Sequence, residues 1–343
     1  MRLQDTESFF NFFRMTPQKF DELLSVVGPR ITMKATSFRN PISAQERLAI
    51  TIRFLASGDS MTNISYLFRV GKPTVSKIVR QVCDAIWVNL SPVVLKPPTT
   101  EKWRKIATII NNEWEFPNCI GAVDGKHIVM QAPNSSGSAF FNYKGSFSIV
   151  LLAACDGKYC FTIVDIGGSG RQSDGGIFHS STFGQALKES LNIPKPEAVC
   201  PGKYLPYVFV ADEAFPLKKN LMRPFPGRNL DTPKKIYNYR LSRCRRLIEN
   251  TFGIFASRFR IFRKPIIGKT ETVESIAKAA VCLHNYLKIC DDMLPIAKRK
   301  YCPFGFADFE DHEGTFHDGQ WRSYGTGNMY AKEPFDRWRK NQR

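Results

Sequence analysis

Three acids stand out in a chain whose 49 Lys and Arg outnumber its 31 Asp and Glu for a net charge of +18. Asp124 lies inside "IGAVDGKHIVM", Asp212 ends the apolar run "YVFVAD", and Glu249 sits among arginines in "RLSRCRRLIENTFGIF". Cleavage or transfer at a phosphodiester is served by two hard divalent cations, about 3.5–4 Å apart and bound by oxygen ligands. Two or three carboxylates brought from separate elements, ringed by bases that hold the strands, meet that need. Each acid also has a plainer reading. Asp124-Gly125, like Asp156-Gly157 in "LLAACDGKYCFTIV", carries the local signature of a hairpin turn. Glu249 follows Arg245 and Arg246 by four and three residues, the spacing of surface ion pairs on a helix. His127 alternates away from Asp124 along a strand and reads as a packed core histidine.

The elements that would position these acids follow from periodicity. Up to about residue 110 the pattern is helical, with Thr16 as an N-cap before Pro17. "SMTNISYLFRVGKPTVSKIVRQVCDAIWVNL" divides at Val70-Gly71-Lys72 into a helix-turn-helix over about 60–90. Its second helix presents Thr74, Ser76, Lys77 and Arg80 outward and buries Val75, Ile78, Val79 and Val82, an arrangement suited to a DNA groove or, more blandly, to a helical bundle with a wetted basic face. From Cys119 the pattern turns to strands at 119–130, 147–155 and 158–166, then a helical segment, then the strand ending at Asp212. This predicts an α/β fold with a mixed sheet. Long helices follow, around 236–262 and over "ETVESIAKAAVCLHNYLKIC". "GGSGRQSDGGIF" adds Asp174, readable either as a helix cap or as a supporting carboxylate.

Charge narrows the class. Between 218 and 264 there are 14 Lys and Arg against only Asp231 and Glu249, interleaved with Phe and Tyr. Such a belt binds phosphate backbones in a salt-sensitive way, and Lys234, Lys235, Arg243, Arg245 and Arg246 are its predicted phosphate contacts. No stretch reads as a secretion signal or a membrane span, so a soluble intracellular protein is expected. Nine scattered cysteines without a C-x-x-C pair argue against a disulfide framework and a zinc knuckle.

"GAVDGKHI", "VFVADEAFPL" and "RCRRLIENTFGIFASRFRIF" together resemble the three catalytic blocks of the PIF/Harbinger transposases and of the nucleases domesticated from them, over residues 119–288. The resemblance implies an RNase H-like catalytic domain with an Asp-Asp-Glu metal site, in which Asp124, Asp212 and Glu249 bind Mg²⁺, with Mn²⁺ as a substitute. Asp174 falls in a further family block as a candidate fourth ligand. The second block departs from the family pattern, with Glu213 where a small residue is usual, leaving open which adjacent acid faces the metal. The resemblance further implies double-stranded DNA as substrate, a Myb/SANT-like partner protein, a homo-oligomer when active, and residence in the nucleus or also the cytoplasm.

The organisation read from the sequence is therefore a helical N-terminal region over 1–112, a catalytic domain over 117–290, and a tail over 291–343 that packs on the domains or serves as an interaction arm. The activity read is metal-dependent DNA cleavage with or without strand transfer. A DNA-binding or chromatin-associated adaptor that keeps the fold without cleaving is the competing reading. A hydrolase of small phosphates would leave the basic belt unused.

Overall fold

The computed structural model describes residues 5–34, 40–189, 191–311 and 313–323. The basic end of the tail, "RWRKNQR", lies outside them.

Six helices come first: α1 (Thr6–Phe13), α2 (Pro17–Ile31), α3 (Ala44–Ser57), α4 (Met61–Phe68), α5 (Lys72–Val94) and α6 (Thr100–Trp114). Their starts are written in the sequence. Thr16, Ser43, Ser60 and Thr99 each accept a backbone N–H of the first turn through the side-chain oxygen. On α5, Val75, Ile78, Val79 and Val82 are buried, as the periodicity predicts, while Lys77 and Arg80 are exposed and Thr74 and Ser76 half-buried.

The sheet follows, with β1 (Cys119–Val129), β2 (Ser148–Cys155) and β3 (Phe161–Ser169), the short helices α7 (Asp174–Ser180) and α8 (Thr182–Glu189), and a small hairpin of β4 (Glu197–Cys200) and β5 (Lys203–Leu205). Next come β6 (Val208–Val210), β7 (Leu221–Met222), α9 (Thr232–Arg258) and α10 (Thr270–Asp292). The strand order is β3-β2-β1-β6-β7. β1 runs antiparallel to β2 and parallel to β6, so the sheet is mixed, as expected. All of β2 is buried, the mark of a strand covered on both faces.

The two Asp-Gly pairs part company. Asp156 makes the turn, its carboxylate accepting the N–H groups of Lys158 and Cys160 at 2.9 Å. Asp124-Gly125 makes none, because β1 passes straight through it with Asp124 opposite Ala153 and Gly125 opposite Leu152. β3 begins at Phe161, three residues later than the hydrophobic pattern suggests, since Gly157 to Cys160 complete the turn.

One contiguous core joins helices and sheet, running from Phe9 through Val75 and Trp103 to Phe255 and Leu283. α10 packs along α5, and α9 against β1. Asn285 on α10 is fully buried and ties three elements, donating to the Val94 and Phe161 carbonyls and accepting the Phe161 N–H at 2.9 Å. The described part of the tail, with β8 (Phe309–Glu310), β9 (Phe316–His317) and α11 (Gln320–Ser323), lies on α9. There Asn250 exchanges hydrogen bonds with the Asp308 backbone at 3.1 and 3.0 Å.

Candidate active site

Asp124 projects from the middle of β1, and Asp212 follows the carboxyl end of the neighbouring parallel strand β6. Asp212 folds back on itself, its Oδ1 accepting the Ala214 N–H at 2.9 Å, while Glu213 is exposed. Of the two adjacent acids, Asp212 is the one turned toward the other carboxylates. Asp174 joins them at the first position of α7, and two glycines make this possible. A Cβ on Gly125 would stand 2.0 Å from the Asp174 Oδ1, and one on Gly175 would stand 2.4 Å from the Ala214 carbonyl oxygen. The glycine after Asp124 is thus required by the close approach of a second acid.

Asp174 does not cap its helix. Ser173 holds the cap position, its Oγ accepting the Gly176 N–H at 3.2 Å. The Asp174 Oδ1 is buried with no hydrogen-bond partner. An orphaned carboxylate oxygen is costly unless something cationic meets it. Burial and the neighbouring Asp212 charge push its carboxyl up to about 6, with Lys144 opposing. Burial likewise pushes Asp124 up to about 7, with Asp212 and Asp174 adding to the shift and Arg245 opposing it. Hard oxygen donors crowded against their own repulsion are the ligand type that a divalent cation takes.

Glu249 stands apart from this cluster. Burial raises its carboxyl above the ordinary range, and the charges acting on it are those of Arg245, Arg322, Arg246 and Asp308 rather than the other two predicted ligands. Among the described residues no three His, Cys, Asp or Glu side chains are already placed to share one ion. Arg245 stands between: a turn before Glu249 on α9, it reaches Asp212 at 3.9 Å and opposes the shift of Asp124. Its Nε is buried and lacks a hydrogen-bond partner.

Several predicted phosphate contacts have partners within the fold. Arg245 faces the acids rather than solvent. Arg243 is spent on Glu310 at 2.8 Å and Glu115 at 3.3 Å, and Arg246 is buried with its guanidinium 3.5 Å from the Phe316 ring centre. Their partners lie far off in sequence, so the basic run alone could not reveal them. Lys235 is exposed, and Lys234 pairs with Asp231 at 3.1 Å at the start of α9. Arg80 pairs with Asp84 at 3.5 Å on its own helix. Sequence reasoning missed Lys126, two residues beyond Asp124 and so on the same face of β1. Burial pushes its ammonium down to about 8, Lys144 contributing and Asp124 opposing, and it lies 5.6 Å from the Phe252 ring centre.

Residues 123–285, which contain all four acids, match a family described as the DDE superfamily endonucleases. Those residues are similar to the DDE superfamily endonucleases. Curated relatives extend the likeness beyond this domain. The Arabidopsis thaliana protein ALP1-like is 27% identical over 272 residues, 75% of this chain and 64% of that relative's length. The Arabidopsis protein Antagonist of Like Heterochromatin Protein 1 is 24% identical over 295 residues, 84% of this chain and 74% of its own. HARBI1 of Bos taurus, whose name describes a nuclease, is 23% identical over 282 residues, 81% of this chain and 76% of its own. No solved structure matches the chain. The resemblance to Harbinger transposase-derived proteins is borne out, and the matched residues 123–285 hold the acid cluster. No described helix is long and apolar enough to cross a membrane.

The space over Gly125 is testable by itself. Gly125→Ala is expected to push the Asp174 carboxylate aside and weaken Mn²⁺ binding by roughly ten- to a hundredfold, the usual cost of disturbing a ligand's support. Isothermal titration calorimetry would show it, and unchanged affinity would remove Asp174 from the site.

Proposed function

We propose that this protein is a divalent-metal-dependent DNA endonuclease with an RNase H-like catalytic domain, its cations held by Asp124, Asp212 and Glu249 with Asp174 as a further ligand. The observation that carries the reading is the buried, partnerless Asp174 Oδ1 packed over Gly125 beside Asp124 and Asp212. The sheet order, with β1 between an antiparallel and a parallel neighbour, supports the fold assignment. A bound Mg²⁺ or Mn²⁺ would supply Lewis-acid stabilisation of charge at the phosphate. The chain's own residues do the rest. The rigid strands β1 and β6 fix Asp124 and Asp212, α7 sets Asp174 over them, and α9 carries Glu249 beyond Arg245. Arg245 balances the charge of Asp212, and Glu249 on the same helix would complete the oxygen set for the cations. Lys126 stands where it can meet a phosphate oxygen.

Around this centre, Lys234 and Lys235 at the outer end of α9, and Thr74, Ser76, Lys77 and Arg80 on α5, are proposed contacts to double-stranded DNA. The helix-turn-helix role of α4 and α5, strand transfer, a Myb/SANT-like partner, homo-oligomer formation and nuclear residence belong to the same proposal, on the family resemblance. The deciding experiment is a nicking assay on duplex DNA with Mg²⁺ or Mn²⁺. Metal-dependent cleavage is expected, and its absence with or without a partner protein would favour the adaptor. That second reading has one observation of its own, the guanidinium of Arg245 set against Asp212.

Two further outcomes follow. Arg245→Gln removes a positive charge from beside a cation site, so Mn²⁺ is expected to bind several-fold more tightly by calorimetry. Proton competition sets a pH dependence. Asp174 and Asp124 release their protons only as pH rises through about 6 and about 7, so metal affinity should climb steeply from pH 5.5 to 7.5 and level off above.

A further inference from the structure

The chain between β1 and β2 ends in a small, strongly built hairpin. Phe141 and Phe147 bridge across it, the Gly145 N–H donates to the Asn142 carbonyl at 3.1 Å, and Gly145 takes the left-handed conformation at φ 78° that such a turn needs. Asn142 is buried and spends its whole amide on the turn. Its Oδ1 accepts the Lys144 and Ser146 N–H groups at 3.0 and 3.1 Å, and its Nδ2 donates to the Ser146 and Ser148 hydroxyls. Ser148 in turn meets His127 Nδ1 at 2.8 Å. So much fixed polar structure holds out two side chains, Tyr143 and Lys144, and Tyr143 is 77% exposed. An edge contact with His127, ring centres 5.6 Å apart, and the Lys144 ammonium at 5.3 Å orient the ring.

The tip stands beside the acids. The Gly170 N–H donates to the Ser148 carbonyl at 3.0 Å, and Arg171 donates to the Ser138 hydroxyl at 3.3 Å, which ties the loop to the turn leading into Asp174. Lys144 acts electrostatically on both Asp174 and Lys126. An exposed ring on a preorganised turn, flanked by cations at the edge of a phosphodiester-cleaving centre, has the chemistry of a base-stacking platform. We propose that Tyr143 stacks on an unpaired nucleobase next to the scissile phosphate while Lys144 contacts the backbone, so that the enzyme prefers DNA locally opened at the cleavage site. This rests on the endonuclease reading.

The test measures binding of the full chain, by fluorescence anisotropy, to a duplex with a single bulged 2-aminopurine and to its fully paired counterpart. Unmodified protein should prefer the bulge and quench the 2-aminopurine. Tyr143→Ala should weaken bulge binding roughly tenfold, the worth of one stacked base, and leave the paired duplex unaffected, whereas Tyr143→Trp retains the preference. Lys144→Gln should weaken both alike and lower the slope of log affinity on log salt by about one. Both positions are exposed, and an unchanged thermal midpoint confirms the fold. Tyr143→Ala binding both duplexes like the unmodified protein overturns this inference alone. Failure of the unmodified protein to bind DNA overturns it together with the endonuclease reading.

Discussion

Asp124→Asn is expected to abolish metal-dependent nicking, by about 10³-fold or more, and at the same time to make the metal-free protein more stable above pH 7. The first effect follows from losing a charged oxygen ligand at a centre whose chemistry is electrostatic. The second follows from linkage. Asp124 titrates at about 7 in the folded chain against an ordinary 3.8, so the favourable contribution of its neutral form is complete below the ordinary value and is lost as pH rises through about 7. Asparagine keeps the neutral shape at every pH. Allowing for solvent screening, the gain is roughly 1–2 kcal/mol at pH 8 and near zero at pH 4. Urea unfolding at both pH values measures it. Equal stability of the two proteins at pH 8 would mean that Asp124 is not under the strain that its neighbours impose.

Asp308→Ala carries the largest expected cost in stability, about 2–3 kcal/mol, because the Gly319 and Arg322 donors lose their acceptor while the partly exposed Arg322 can turn to water. Asp308 is fully buried, accepts the Gly319 N–H at 2.7 Å and Arg322 Nε at 2.9 Å, and holds a second guanidinium nitrogen of Arg322 as well. Around it Trp321 donates to the Asn250 Oδ1 at 2.9 Å and lies over Gly253, where a Cβ would be 2.3 Å from the indole. Without the carboxylate, Arg322 loses its anchor and the segment loses its hold on α9. Asp308→Asn retains part of the hydrogen bonding and should cost less, and urea midpoints of the two variants rank the effects. Because Arg322 also acts on Glu249, the same change alters the third acid's surroundings without touching it.

What could be read ahead of the structure divides along physical lines. Helix starts at Thr16 and Ser43, the buried stripe of α5 and the Asp156 turn were legible because each depends on residues a few positions apart. The role of Gly125 was not, since Asp-Gly has one local signature and the reason for this glycine lies 49 residues later at Asp174. The hairpin at Asn142 to Gly145 was passed over because its polar residues looked like ordinary loop. The partners of the basic run were hidden for the same reason. Arg243 and Arg246 are neutralised or stacked by Glu115, Glu310 and Phe316, which only the folded chain brings near.

The junction at Asn285 bears on how DNA would be held. With α5, α10 and β3 locked through one side chain and a shared core, these described helices are fixed relative to the sheet that carries the acids. A duplex touching both must therefore conform to the protein, and the work of bending it depends on its base steps. Target choice would then come partly from the flexibility of the DNA, at positions that no side chain reads.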